Sequence, residues 1–282
     1  MKNKTVTIVF SYYNRKKQFL FTMKTLAKTK YNKALIDIVV VDDGSDDEHL
    51  LDEGFLYKHF KIPIKVIRIE KTTKTWLNPC VAYNIGFKYA KGDIIIYQNP
   101  ECCHVNDIIS YTVENLEIEE YFSFACVAIL QPYGDNATLY CYDNFYKIYC
   151  NCKKYVLRIN KLGIRINENI TYCLKFYNHQ WIKPKHYHFC AAIHKSQMMK
   201  LNGFNEHMKD KYCYDDDEIL LRISLLCKKI IVPMENGFVI HQYHESSIPP
   251  NTDMTDVSNQ YLYEKYEKLF NAGKLDPDWR EN

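Results

Sequence analysis

Apolar residues along this chain fall in short runs separated by polar stops, and the spacing inside each interval alternates between two periods. Thr5–Phe10, Ile36–Val41, Ile64–Ile69 and Ile94–Tyr97 are brief runs rich in β-branched residues, which read as buried strands. Between the first two, Phe19, Leu20, Met23 and Leu26 recur at helical spacing within Lys16–Lys30. A shorter helical stretch lies near Glu48–His59, and Val81, Ala82, Ile85, Phe87 and Ala90 mark a helix from Pro79 to Gly92. Strand and helix therefore alternate, which predicts an α/β fold of Rossmann-like type with a mostly parallel central sheet.

Further along, the pattern predicts a helix over Asp107–Leu116, strands at Phe124–Leu130 and Phe189–His194, and an amphipathic helix over Asp215–Lys229. Strands at Ile230–Pro233 and Gly237–Ile240 follow, then a helix around Val257–Phe270. Tyr133–Pro184 is aromatic and rich in Asn and Lys, and apart from a strand at Tyr155–Ile159 it carries no assignable period. The expected organisation is one domain over residues 1–250 and a helical tail over 251–282. Within the domain, residues 1–105 form a Rossmann-like half, and 106–250 form a second half with an antiparallel part and an insert at 133–184.

Composition narrows the classes. The 37 Lys+Arg against 34 Asp+Glu leave a formal charge of only +3, with basic residues dispersed among acidic and aromatic ones. No stripe suited to a phosphate backbone results, so no nucleic-acid partner is expected. No apolar run approaches the roughly 20 residues of a membrane span, and the first strand is too short for a signal h-region. The expectation is a soluble, cytoplasmic protein. The 11 cysteines are odd in number and scattered, which suits reduced thiols. Cys102-Cys103 and Cys150-Asn151-Cys152 lack the spacing of a structural zinc site.

Four polar clusters could carry chemistry. The Ile94–Tyr97 strand ends in Gln98-Asn99-Pro100-Glu101, at the carboxyl edge where open α/β sheets bind ligands. Asn99 and Glu101 would both offer oxygen to a hard divalent cation; the plain alternative is a polar strand exit. Asp42-Asp43-Gly44-Ser45 sits at the same kind of edge, either to accept from a uracil N–H and a ribose hydroxyl or to form an Asx turn on Gly44. Asp215-Asp216-Asp217-Glu218 opens a helix with capping-box spacing between Asp215 and Glu218. Capping leaves Asp216 and Asp217 unaccounted for, and a surplus carboxylate there suits a general base. His241 and His244 follow a strand and would offer imidazole to a cation beside Glu101, the spacing leaving open which of them binds. Tyr12, Tyr13 and Trp76 would either pack or wall a nucleobase. Asn78 and Asn84 offer amides, with Arg15, Arg68 or Lys74 as counter-charges to a diphosphate.

Taken in order, Val9–Arg15, Val39–Asp47, Asn78-Pro79 through Asn84-Ile85-Gly86 to Gly92-Asp93, Ile94–Glu101, Asn202–Glu206 and Asp215–Arg222 resemble the family 2 glycosyltransferases with the GT-A fold, across about residues 5–245. The resemblance implies a metal-dependent, inverting transfer of a hexose from a UDP-sugar donor to a hydroxyl of a glycan or glycoconjugate. It implies uridine held by Asp42 and Asp43 with Ser11 and Tyr13 near the base, and Arg15, Asn78, Asn84 and Asn99 about the ribose and diphosphate. Asp216 takes the place of the catalytic base, Glu101 with His241 or His244 would hold Mn2+ or Mg2+, and Asp215, Trp181 and His188 fall on the sugar or acceptor side. One departure stands out: Asn99-Pro100-Glu101 occupies the place of the family's Asp-x-Asp motif. An alternative is therefore a nucleotide-sugar-binding protein of weakened or lost activity. A nucleotidyltransferase is disfavoured, because Ser11–Arg15 stands where a Gly-rich phosphate loop would be.

Overall fold

The computed structural model describes residues 4–132, 172–233, 236–246, 248 and 251–277. The strand expected at Tyr155–Ile159 lies outside these. The chain begins with β1 (Val6–Tyr12), α1 (Lys16–Leu26), β2 (Ile36–Asp42), α2 (Glu53–Phe60), β3 (Ile64–Arg68), α3 (Cys80–Tyr89) and β4 (Ile94–Gln98). The alternation read from the sequence is thus present, and β3, β2, β1 and β4 pair in parallel in that order. There follow β5 (Cys102–His104), α4 (Ile108–Asn115), β6 (Glu120–Ser123), β7 (Ala125–Pro132), β8 (Tyr172–Asn178), β9 (Cys190–His194) and α5 (Lys195–Leu201). The chain then forms α6 (Asp215–Leu226), β10 (Lys229–Ile231), β11 (Phe238–His241), α7 (Met254–Val257) and α8 (Gln260–Asn271).

Seven strands form the main sheet in the order β10-β6-β9-β4-β1-β2-β3, with β9 antiparallel to both neighbours. A smaller sheet, β5-β11-β7-β8, holds the antiparallel part. Because side chains alternate across a strand, the main sheet buries two faces. Ile8, Phe10, Ile38, Val40, Ile94 and Ile96 pack with Phe19 and Met23 of α1. Val9, Val39, Val41, Ile95 and Tyr97 pack with Val81, Ala82 and Phe87 of α3 and Ile219 of α6. Gly86 lets α3 sit this close: a Cβ there would fall 2.3 Å from Val9 Cγ1.

Three differences from the sequence reading have physical causes. The strand expected at Phe124–Leu130 is β7, and β6 stands before it without having been anticipated, because the chain leaves the main sheet at Phe124 and enters the smaller one. Phe124 N–H donates to Cys190 of the first, and Ala125 N–H donates to Gly237 beside the second. The C-terminal helix is broken at Ser258-Asn259, where Tyr212 takes the freed backbone groups: its N–H donates to Val257 O (2.8 Å) and its carbonyl accepts from Asn259 N–H (2.9 Å). β5, β8 and α5 were not anticipated; β5 has three residues, too few to show a period.

The topology fixes the site. Tyr12 pairs with Asp42, and Phe10 with Gln98, so β1, β2 and β4 end along one edge. Ser11, Tyr13, Asp43 and Asn99 are thereby neighbours despite their separation in sequence. β5 leaves the end of β4 and pairs with β11, His241 opposite Cys102.

Candidate active site

That edge holds a cavity whose walls include Ser11, Tyr13, Arg15, Asp43, Lys74, Trp76, Tyr83, Asn99, Pro100, Glu101, Tyr212 and His244. Its two ends differ in chemistry.

At one end stands Asp43, buried and aimed at two donors, Lys74 Nζ at 2.7 Å and Trp76 Nε1 at 2.9 Å. Burial raises its carboxyl above the ordinary value, against the opposing pull of Lys74 and Trp76. Lys74 Nζ also lies 5.2 Å from the centre of the Tyr13 ring, so an aromatic, cationic and anionic group share this end. Asp42 is different. Its Oδ1 accepts from Ser45 N–H at 2.9 Å and its Oδ2 from Arg68 at 3.4 Å, so its carboxylate closes the turn through Gly44, whose φ is +84°. The Asx-turn reading describes Asp42, and the cavity receives Asp43.

At the other end Glu101 is buried with two imidazoles. His241 Nε2 lies 3.1 Å and His244 Nε2 3.3 Å from Glu101 Oε1. Burial opposes ionisation of Glu101, yet the two imidazoles outweigh it and hold the carboxyl well below its usual range. One donor atom from each of the three residues can be chosen so that all lie within 4.8 Å of one another. One carboxylate and two imidazoles make a donor set that suits a divalent cation, so these residues fit the metal that the resemblance implies. Asn99, at the first place of the variant motif, has its Oδ1 3.2 Å from Tyr83 Oη, which donates to it.

A second acidic cluster lies behind the cavity. Asp215, Asp216 and Asp217 form the first turn of α6, where acids favour the positive end of the helix dipole. Asp215 is buried, and Asn78 donates to its Oδ1 at 3.0 Å. Burial and the adjacent Asp216 raise the Asp215 carboxyl to about 6. Asp217 accepts from Tyr187 Oη. Asp216 keeps more of its surface open; its Oδ1 touches the Nδ1 of the buried His188. The ring of Tyr83 links the clusters, 4.9 Å from that of His188 and bonded to Asn99.

Asp42, His241 and the cluster of Asp215, Asp216 and His188 are not among the cavity walls, and three further expected site residues are absent from them too. Asn84 accepts from Phe204 N–H at 2.7 Å and donates to Phe204 O and Glu206, fixing the turn that follows α5. Asn78 is fully buried, with its Oδ1 accepting from Cys80 N–H and its amide holding Asp215. The Trp181 side chain is 69% exposed, and none of its atoms lines the cavity. Tyr83 and Tyr212 line it without having been anticipated; Tyr83 sits on the buried face of α3, where a tyrosine reads as core.

Over residues 7–193 the sequence matches the model of glycosyl transferase family 2. The chain belongs to this family. No curated protein matches it, whereas many solved structures share its fold. Among them is TarS 1–349 of S. aureus, 14% identical with a TM-score of 0.56, over 84% of this chain and 60% of that one. The complex of TarS 1–349 with UDP-GlcNAc aligns at 15% identity and a TM-score of 0.59, over 98% of this chain and 68% of that one. GalNAc-T7 with UDP, GalNAc and Mn2+ aligns at 17% identity and 0.58, over 96% of this chain and 51% of that one. At such identities the likeness concerns the fold, which is GT-A, and the chain spans about three fifths of the TarS 1–349 length. A family 2 glycosyltransferase with this fold accounts for the sheet order and the position of the cavity. Among the described residues no helix is long and apolar enough to cross a membrane.

Proposed function

We propose that this family 2 glycosyltransferase is a metal-dependent, inverting enzyme that moves a hexose from a UDP-sugar to a hydroxyl of a carbohydrate or glycoconjugate. The observation that carries the reading is the convergence of Glu101, His241 and His244 at one end of a cavity whose other end presents Asp43, Trp76 and Lys74. A nucleoside diphosphate has a matching polarity, with a base and ribose at one end and a diphosphate needing counter-charge at the other. That two fold neighbours were solved with UDP-GlcNAc and with UDP and Mn2+ supports the same assignment.

Asp43, already bonded to Lys74 and Trp76, would accept from the uracil N–H, with Tyr13 against the ring plane. Glu101, His241 and His244 would hold Mn2+ or Mg2+, and Arg15 stands beside His244 at 3.0 Å. A cation bound there would neutralise charge growing on the departing diphosphate. Asp216 would take the proton of the acceptor hydroxyl as that oxygen attacks the anomeric carbon from the face opposite UDP. Asp215, with its raised carboxyl, is placed to support that base from inside the protein. Holding donor and acceptor together supplies the proximity that a bimolecular reaction in water lacks.

The assembled Glu101–His241–His244 set favours retained activity despite Asn99 standing in the place of an aspartate. Incubating the protein with Mn2+ and a panel of UDP-sugars tests the reading through release of UDP in the presence of mixed glycan acceptors. Release that Asp216→Asn reduces at least about a hundredfold, within the range for loss of a general base, is the expected result. UDP binding with no release across the panel would point to a binding protein instead.

A further inference from the structure

His188 enters none of the donor contacts, yet it is buried, at 6% exposure. Its ring lies against Tyr83 at 4.9 Å, Phe204 at 5.0 Å and Tyr97 at 5.5 Å between centres. An apolar side chain would fill such a box without the cost of burying an imidazole. What the box does is aim one edge of the ring. Nδ1 touches Oδ1 of Asp216, and the main-chain N–H of the same residue points to that oxygen from 3.3 Å. An ion-pair contact through Nδ1 and a main-chain hydrogen bond, both from one residue, therefore meet on one oxygen of the carboxylate.

Resting on the reading of Asp216 as the general base, we propose that His188 is its positioning residue, fixing Oδ1 so that Oδ2 alone is presented to the acceptor hydroxyl. In the step, the acceptor O–H bond breaks and its proton passes to Asp216 Oδ2. The electron pair left on the acceptor oxygen forms the bond to the anomeric carbon. The bond from that carbon to the diphosphate breaks, its pair leaving on the UDP oxygen. His188 exchanges no proton with the substrate.

The surroundings favour a charged ring. Burial alone would lower the His188 pKa, but Asp216 in contact and Asp215 nearby outweigh it and raise the value. The groups facing the ring are these two carboxylates from α6, the phenol of Tyr83 from α3 and that of Tyr97 from β4. Burial raises both phenols, so they stay neutral, and Tyr97 is bonded to Tyr121 at 3.2 Å. A positive ring beside Asp216 holds the carboxylate by charge as well as by contact.

Two measurements test the inference. In the first, histidine-labelled protein is titrated by NMR as wild type and as Asp216→Asn. His188 should remain protonated above the ordinary histidine range in the wild type and lose at least about one pH unit of that protection in the variant. Equal titration in both proteins, or a wild-type value at or below about 6.5, overturns the proposal. In the second, His188→Phe should lower kcat about tenfold or more with the Kd for UDP unchanged. Unchanged kcat overturns it. Should His188→Phe fail to fold, the NMR comparison decides by itself. Full turnover by Asp216→Asn would instead remove the base reading and with it the role proposed for His188, while the NMR coupling could persist.

Discussion

Glu101 and His241 face each other across 3.1 Å because they flank a strand pair: His241 lies opposite Cys102 in the antiparallel ladder of β5 and β11, so the residue before Cys102 falls beside the imidazole. Gln242 locks this register, its backbone N–H and its side-chain amide both donating to Glu101 O, at 3.1 and 3.0 Å. Three residues after His241, His244 reaches the same carboxylate from the loop after β11. The cluster is thus built by secondary structure on one side and by a loop on the other, an arrangement that lets a rigid carboxylate keep two imidazoles.

The Asp43 end of the cavity makes a separate prediction. Asp43 is bonded to Lys74 and Trp76, and Asp43→Ala removes the only carboxylate among the residues walling that end. Affinity for UDP, measured by calorimetry with Mn2+ present, should fall about tenfold, the equivalent of about 1.4 kcal/mol for one charge-assisted hydrogen bond. The same measurement on Asp42→Asn should show a smaller loss, because Asp42 serves the turn. Equal losses would mean that both carboxylates meet the nucleoside.

A buried ion pair anchors the helix that carries the proposed base. Arg222 and Glu218 form a two-point contact, 2.7 Å at each end, and the Arg222 guanidinium also donates to Leu201 O and Gly203 O. Both side chains are almost wholly enclosed, so removing one leaves the other charge uncompensated. Glu218→Gln should therefore cost about 3–5 kcal/mol in urea unfolding. A loss below about 1 kcal/mol would show that the guanidinium keeps enough carbonyl partners without Glu218.

The Asp215 carboxyl gives a pH dependence of defined sign. Its value in the folded protein is about 6, pushed up by burial and then by Asp216, against the relief that His188 and Asn78 provide. Between the ordinary aspartate value and that figure the folded state keeps a proton that the unfolded chain has lost. Stability contributed by this group thus falls as pH rises through that window, and the cost is complete above it. Asp215→Asn has no such cost and keeps an oxygen for the Asn78 amide. Its unfolding free energy relative to wild type should rise by about 1–3 kcal/mol between about pH 4 and pH 7.5. A difference independent of pH would place the proton elsewhere in the acidic cluster.

How much of this was legible in the sequence depends on where each residue's partner lies. The βαβ start was visible because strand and helix periods there are local, and the Val39–Val41 and Ile94–Tyr97 runs are buried on both faces. The meeting of Glu101 with two histidines could be suggested by their metal-binding chemistry and by the resemblance but not by any local pattern, since 139 residues of intervening chain hide the pairing of β5 with β11. Asn84 illustrates the opposite limit. An amide in the right part of a motif reads as a ligand-binding group, while its bonds to Phe204 and Glu206 come from a turn that no local pattern links to it. Asp42 and Asp43, adjacent and chemically identical, were inseparable until the turn through Gly44 sent one inward and the other to the cavity.

The central claim is that a cation bound by Glu101, His241 and His244 couples to UDP in the cavity. Calorimetric titration with UDP, with and without Mn2+, on the wild type and on Glu101→Ala tests it most directly. The account predicts that Mn2+ strengthens UDP binding to the wild type by about tenfold or more, a coupling of about 1.4 kcal/mol, and that Glu101→Ala abolishes this gain. UDP binding of equal strength with and without Mn2+ in the wild type would contradict it.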